Sequence, residues 1–352
     1  MVMLLITISL YVIMYVIASI LFADSNFTKF SVFFNLFNSK AYLLMLALGL
    51  TVVMITGSID ISVGGVTGLV SMVIAVMLTD YGVSAIWTIP VALGIGLTFG
   101  IVQGFLVSYM EIQPFIVTLS GMLFARGMIS VISTESVAIT DKLFSSWSSA
   151  KMYIPFLHNV RKNGTPDVAY LTPASIVALL VLVVLIIVLI KTKFGRSLYA
   201  VGGNTQSAML MGLNVKRTKF LAHVLCGLLA GIGGLLYTLV TPNGNPGNGY
   251  GYEIDAISSS VIGGIMLSGG FGLPIGTFFG VLINALIDRV VPQLQLEGAS
   301  WPRIISSGFL FVFIVLQSVF AIAGKKGGFK QLLPDWMRFK SKKQKNKVEL
   351  VE

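Results

Sequence analysis

Apolar runs near twenty residues long recur along this chain, and about 20 such residues coiled as a helix match the hydrocarbon core of a bilayer. Met1–Phe22 is the first. Further runs lie at roughly Ala41–Ile55, Val66–Thr79, Ile86–Tyr109, Pro114–Ile132, Thr172–Ile190, Phe220–Leu239, Asp255–Leu267, Pro274–Val291 and Ile304–Ala323. Lipid offers backbone amides no water to bond, so a repeatedly apolar chain must satisfy its own backbone, and helices do so within each segment. The pattern predicts an all-α polytopic membrane protein with about ten transmembrane helices. Of 352 residues, 55% are hydrophobic and 11% charged, against roughly a quarter charged in soluble domains. That leaves too little polar surface for a soluble enzyme, a disordered chain or a nucleic-acid binder. Met1–Phe22 lacks a basic leading region and a small-residue cleavage site, so it reads as a retained span rather than a signal peptide.

The charges orient the spans. Lys and Arg number 24 and Asp and Glu 14. Six basic residues and no acid lie in 191–219, and nine basic residues with Asp335 as the only acid lie in Lys325–Lys347. Short basic segments mark the cytoplasmic side. An even number of spans puts both termini there and brings 191–219 to the same side, in agreement with its own charges. The segment 134–171 then falls outside. Its Ser145–Ser149 and Asn163-Gly164 stretches read as surface turns. Lys29 and Lys40 also fall outside, against the trend. The organisation is a transmembrane domain over 1–323, with a cytoplasmic loop at 191–219 and an external loop at 134–171. A basic cytoplasmic tail over 324–352 is suited to anionic lipid rather than to nucleic acid.

The second, third and eighth runs are short and abut Gly57–Gly68 or Gly263–Gly272, as broken helices lining a path do. Ile59-Asp60-Ile61-Ser62 before Gly64-Gly65 is echoed by Ile254-Asp255 before Gly263-Gly264. The copies are five spans apart, so they would run in opposite directions, as in an inverted repeat. Three roles are open to Asp60: capping a helix that begins near Val63 with Ser62, touching a polar solute, or coupling an ion. Asp255 reads as a second cap, ahead of Ala256. Asp288-Arg289 reads as a charge pair near a helix end. Arg126 and Glu253 are the other ionisable groups in or beside the apolar part.

Uncharged polar residues complete the candidates for a solute path: Asp60, Ser62, Gln103 and Asn284, with Gln113 nearby. Gly96 and Gly100 are spaced for close helix packing. His223 reads as a packing residue. Cys226 is the only cysteine, so no multi-cysteine metal site exists. There is no Gly-x4-Gly-Lys-Ser/Thr loop, no His-Glu-x-x-His and no Gly-x-Ser-x-Gly, which leaves no catalytic constellation, no metal site and no means of binding ATP through a P-loop. Within 191–219, Gly203-Asn204 reads as a turn, Thr205–Met211 as a short helix stopped by Gly212, and Asn214 as the start of another. A short helix held between two spans suits docking in a partner's groove; an interfacial helix on lipid is the alternative.

Several blocks resemble the permease subunits of bacterial carbohydrate ABC importers of the ribose/galactose/xylose type. Gly57-Ser58-Ile59-Asp60-Ile61-Ser62-Val63-Gly64 is similar to that family's G-G-I-D-L-S-V-G, with Ser58 at the second glycine. Gln113-Pro114-Phe115-Ile116-Val117-Thr118-Leu119, then Gly121-Met122 and Arg126-Gly127, is similar to its P-P-F-I-V-T-L-G-T-M and R-G. Phe194-Gly195-Arg196, Ala200–Asn204, Ala208, Gly212 and Val215 resemble its ATPase-contacting segment. Tyr252–Ile257, Val261–Gly264 and Leu267–Gly270 resemble later blocks, with Ile265 where many members have Thr. Gln206-Ser207-Ala208, Ser133–Ser136 and Ser300-Trp301 make the galactofuranose importer permeases the most similar branch, although Pro302 stands where they tend to have a second Trp.

The resemblance implies a type II ABC importer permease-like fold and a monosaccharide, galactofuranose-like or a related pentose or hexose, as cargo. It implies a bacterial plasma (inner) membrane location, a second permease subunit, homologous or identical, an ABC ATPase subunit that binds the ATP, and an extracytoplasmic sugar-binding protein. No cofactor is expected in this chain. Gly195, Arg196, Gly203, Asn204, Ala208 and Gly212 would face the ATPase. A secondary active transporter could share the broken helices but would need a coupling-ion site, for which Asp60 is the one attractive candidate. A membrane enzyme would have almost no acid–base groups to work with.

Overall fold

The computed structural model describes residues 2–22, 27, 29–160, 166–294 and 301–323. The Asn163-Gly164 turn, Ser300 and the basic tail over 324–352 lie outside the described residues. The helices, in chain order, are α1 Val2–Leu21, α2 Phe30–Ile55, α3 Val63–Thr79, α4 Thr88–Ser108, α5 Pro114–Ile132, α6 Lys142–Ser149, α7 Pro173–Lys191, α8 Lys193–Gly203, α9 Thr205–Leu210, α10 Val215–Val240, α11 Tyr252–Ile262, α12 Pro274–Val290 and α13 Trp301–Ala323. The chain divides into two compact units, Met1–Leu310 and Phe311–Glu352; the described part of the second is the end of α13.

All ten expected runs are helical. Among the described residues, eight helices are long and apolar enough to cross a membrane, and α3, at 17 residues, is a shorter apolar one. The eighth run is the 11-residue α11. The second run is not short: α2 extends back to Phe30 and has 26 residues. Lys40 hid this extension from the sequence, and the ion pair it makes with Asp288 of α12 explains its tolerance there. Asp288 therefore pairs across two helices, not with its neighbour Arg289.

Local chemistry sets the helix starts. Pro114, Pro173 and Pro274 open α5, α7 and α12, where a missing N–H costs nothing. Asp141 Oδ1 accepts the Phe144 N–H at 2.7 Å and starts α6. Ser145–Ser149 is accordingly helix rather than turn, because burial of Phe144 gives the segment an inner face. The loop 134–171 also holds strands. β1 Val137–Ala138 pairs antiparallel with β4 Asn243–Gly244, and β2 Met152–Val160 pairs antiparallel with β3 Pro166–Leu171.

These strands mark one end of the bundle. Asn38 Nδ2 donates to Tyr170 O at 2.9 Å and Thr79 Oγ1 to Ala138 O at 3.0 Å. The opposite end gathers the end of α2, the α4–α5 turn, α8 and the α11–α12 turn: Lys216 Nζ is 2.8 Å from Glu111, and the Gly270 N–H donates to Ile55 O at 2.8 Å. Most of α2 lies in the core. Beside it α10 packs on α4 without intervening side chains. A Cβ on Gly227 would come 2.6 Å from Gly100 Cα, and one on Gly96 would come 2.9 Å from Gly231 Cα. The predicted Gly96/Gly100 contact surface is thus met by Gly227 and Gly231.

Candidate solute path and coupling segment

Two chain breaks enter the bundle from opposite ends. Thr56–Ser62 rises to α3 from the end that holds α8, and Thr241–Gly251 descends from the strand end to α11. Where they approach, a Cβ on Gly64 would meet the Glu253 carboxylate, and one on Gly249 would lie 3.0 Å from Gly68 N.

Asp60 sits in the first break and is 1% exposed. Its Oδ1 accepts the Ser62 N–H at 2.9 Å and the Ser62 hydroxyl at 2.6 Å. The N-cap position itself belongs to Ser62, whose side chain makes no cap bond, so Asp60 fixes the turn that leads into α3. Ser62 Oγ is 3.1 Å from Gln103 Oε1 on α4. Asp60 Oδ2 is 3.8 Å from His223 Nδ1 on α10, too far for a hydrogen bond but the nearest basic group among the described residues. Neither His223 nitrogen, nor Gln103 Nε2, has a hydrogen-bond partner among the described residues. Asp60, Ser62 and Gln103 therefore converge, joined by His223, which the sequence reading treated as packing. The signal was available: intramembrane ionisable groups pair with one another, and one Asp and one His stood in the central apolar part.

Asn284 lies elsewhere. It is buried on α12 and its Nδ2 donates to Ser306 Oγ at 3.2 Å. Asp255 is not a cap: it lies within the first turn of α11, and Gly251, at φ 83°, precedes the helix. Arg126 on α5 is more engaged than the sequence revealed. It donates to Asn248 O and Gly249 O, each at 2.7 Å, and its guanidinium carbon lies 4.6 Å from the Tyr250 ring centre.

The candidate coupling segment consists of two short helices, α8 and α9, between α7 and α10. Thr192 Oγ1 accepts the Gly195 N–H at 3.2 Å, Asn204 Oδ1 the Ser207 N–H at 2.9 Å, and Asn214 Oδ1 the Arg217 N–H at 2.9 Å. Three caps in sequence thus open α8, α9 and α10. The expected turn at Gly203-Asn204 is the single-residue junction of α8 and α9. Gly212, at φ 79°, ends α9 with open space around it. Arg196, Gly203, Asn204 and Gly212 are exposed, whereas Gly195 and Ala208 are buried supports. Leu210 is 90% exposed between exposed Met209 and Met211, an apolar tip in an otherwise polar segment. The other side of α8 is wedged into the core. A Cβ on Gly202 would overlap Ile55 O and come 2.6 Å from Gly270 N, and Tyr199 Oη donates to Gly272 O at 2.7 Å. Beneath α10, Lys216 hydrogen-bonds the exposed Glu111 carboxylate, and that bond and its charge hold the Glu111 pKa below the ordinary glutamate value.

The geometry is that of a helical membrane protein with broken helices and a connector of short, capped helices. The chain belongs to the family described as branched-chain amino acid transport system / permease component, which matches residues 32–317. It is 35% identical over 314 residues to the inner membrane ABC transporter permease protein YjfF of Escherichia coli K12, covering 89% of this chain and 91% of that protein. It is 34% identical over 318 residues to the fructose import permease protein FruG of Bifidobacterium longum, covering 90% and 91%. It is 33% identical over 292 residues to the ribose import permease protein RbsC of Escherichia coli K12, covering 83% and 86%. No solved structure matches.

Proposed function

We propose that this chain is the permease subunit of an ABC importer that carries a monosaccharide, galactofuranose-like or a related pentose or hexose, across a bacterial plasma membrane. The observation that carries this reading is near full-length similarity to import permeases named for fructose and ribose. The partners are an ATPase subunit, a second permease subunit and an extracytoplasmic sugar-binding protein. Both termini and the coupling segment lie in the cytoplasm, as the basic surplus of 191–219 and of the tail suggests. The Met209–Met211 tip, with Arg196, Gly203, Asn204 and Gly212 around it, docks in the ATPase, and Gly195 and Ala208 hold the two short helices in shape. Asp60, Ser62, Gln103 and Asn284 lie beside the path and set which helices move against one another.

The test is uptake of labelled galactofuranose, ribose, fructose and galactose by cells expressing the whole import system, with and without this chain. Uptake of one sugar that needs both this chain and an intact ATP site in the partner supports the reading. Transport by the purified chain alone would make it a secondary transporter instead.

A further inference from the structure

The start of α7 marks a membrane boundary. The helix has 19 residues, about 28 Å at 1.5 Å per residue, close to the ~30 Å of a hydrocarbon layer. Its exposed large side chains, Val177, Leu180, Val183, Val184, Ile187 and Ile190, are all aliphatic, as a face turned to lipid is. Asn38 ties α2 to the first turn of this helix. Its Oδ1 accepts the Thr172 N–H at 3.2 Å and the Ser175 hydroxyl at 2.6 Å. Lys40, two residues further along α2, therefore stands level with that first turn, where hydrocarbon gives way to headgroups.

Two cavities meet at this level. One, of about 640 Å³, opens among α2, α6, the start of α7 and the ends of α10 and α12. Its wall carries Lys40, Lys151 and Arg289 against a single carboxylate, Asp288. That carboxylate is taken by Lys40, and among the described residues neither Lys151 nor Arg289 has a carboxylate partner. Lys151 Nζ lies 4.7 Å from the Tyr170 ring centre, and Trp147 shares the wall, an aromatic and basic pairing of the kind found at membrane interfaces. The second cavity, of about 500 Å³, is apolar. Met152, Leu171, Ile176 and Val177 line it, and it shares Lys151 and Pro173 with the first. Through Val177 it runs onto the aliphatic face of α7.

A basic cavity continuous with an apolar groove takes an amphiphile whose head is negative. We propose that the cavity holds the phosphate headgroup of an anionic phospholipid from the leaflet at the strand end, with the upper part of one acyl chain in the groove beside α7. The negative head meets Lys151 and Arg289, and a guanidinium can hold two phosphate oxygens at once. A zwitterionic head would bring an ammonium of its own, for which the wall has no free carboxylate. The basic residues on the strand side of the bundle, against the usual charge trend, then have a ligand to meet. This lipid site is independent of which solute the chain carries.

The test is native mass spectrometry of the full chain purified in detergent, titrated with dioleoyl phosphatidylglycerol, with dioleoyl phosphatidylcholine or with inorganic phosphate. Phosphatidylglycerol should fill one site at least about fivefold more tightly than phosphatidylcholine, which has the same chains. Inorganic phosphate, which has the charge without the chains, should not displace it. A basic residue near a lipid headgroup is worth about a fivefold change in affinity. Lys151→Gln and Arg289→Gln should therefore each weaken phosphatidylglycerol about fivefold, and the double variant about twenty-fivefold if the two act independently. Both side chains are exposed, so the fold should survive, and an unchanged melting temperature without lipid verifies it. Lys191→Gln, the same loss of charge in the last turn of α7, should leave the affinity at the wild-type value. Equal binding of the two lipids leaves this face to a protein partner and overturns the proposal. So does a double variant with wild-type affinity, or an effect of Lys191→Gln as large as that of Arg289→Gln. Displacement of the lipid by inorganic phosphate would show a site for soluble anions instead, and overturns the lipid assignment.

Discussion

Gly202→Ala is the sharpest probe of how the coupling segment acts. In an exposed helix this change stabilises by up to about 1 kcal/mol. At Gly202 the new methyl would lie 2.6 Å from Gly270 N and 2.9 Å from Ile55 C, and would overlap Ile55 O. Ordinary contact needs about 3.5–4.0 Å, so relieving the overlap with Ile55 O requires α8 to back away by roughly 2 Å. Overpacking of this kind costs about 1–3 kcal/mol, which exceeds the propensity gain. The strain falls where α8 meets the end of α2 and the α11–α12 turn together, the contact through which a push on α8 reaches the transmembrane helices. Coupling energies of about 1–3 kcal/mol correspond to factors of 5–150, so sugar moved per ATP hydrolysed should fall at least about fivefold in reconstituted importer. Gly94→Ala, at an exposed position of α4, is the control, since a Cβ there meets nothing within 4 Å, and it should behave as wild type. If Gly202→Ala keeps both its abundance and its sugar-to-ATP ratio, α8 does not transmit through this notch.

Asp60→Asn keeps an oxygen for the Ser62 N–H and should retain much of the uptake per inserted molecule, whereas Asp60→Leu leaves the turn into α3 unpaired, costs about 1 kcal/mol or more and should lower abundance or uptake; equal inactivity of both at normal abundance would show that the charge is required. Gly212→Val places a branched side chain at φ 79°, costs at least about 1–2 kcal/mol, and should uncouple ATP hydrolysis from uptake while insertion stays normal. Because Lys216 depresses the Glu111 pKa, that pair contributes stability above the ordinary glutamate pKa and loses it as pH falls through the depressed value. The difference in thermal stability between wild type and Glu111→Gln, measured in detergent, should therefore be present at neutral pH and vanish in acid.

The membrane spans were legible because a bilayer imposes one length and one composition on every helix that crosses it. Charges inside helices blurred the reading. Lys40 masked the first part of α2, since its ion partner is not near in sequence, and the basic stretch Lys216–Lys219 hid that the helix opening at Asn214 runs unbroken into the apolar run from Phe220. The caps at Asn204 and Asn214 could be read locally, as could the stop at Gly212. That a buried Asp and His would pair could be expected in kind, but no local pattern marks the Asp60–His223 proximity itself, which joins residues 163 positions apart. Arg126 gave no sign of its partners either, which are backbone carbonyls that a sequence does not distinguish. Asp255 resembled a cap because it stands in the same dipeptide as Asp60, but Gly251 begins α11 four residues earlier.

The glycine seam between α4 and α10 decides what can move. Helices that touch backbone to backbone have no rotamers between them to rearrange, so their mutual position has no soft coordinate and they travel as one plank. Gln103 and His223 both ride on that plank, whereas Asp60 and Ser62 belong to the neighbouring break. The 3.8 Å gap between Asp60 and His223 is then a gauge of how far α3 has shifted against the plank. Spin labels across α4 and α10 should hold one separation through the transport cycle, and a pair across α3 and α10 should not.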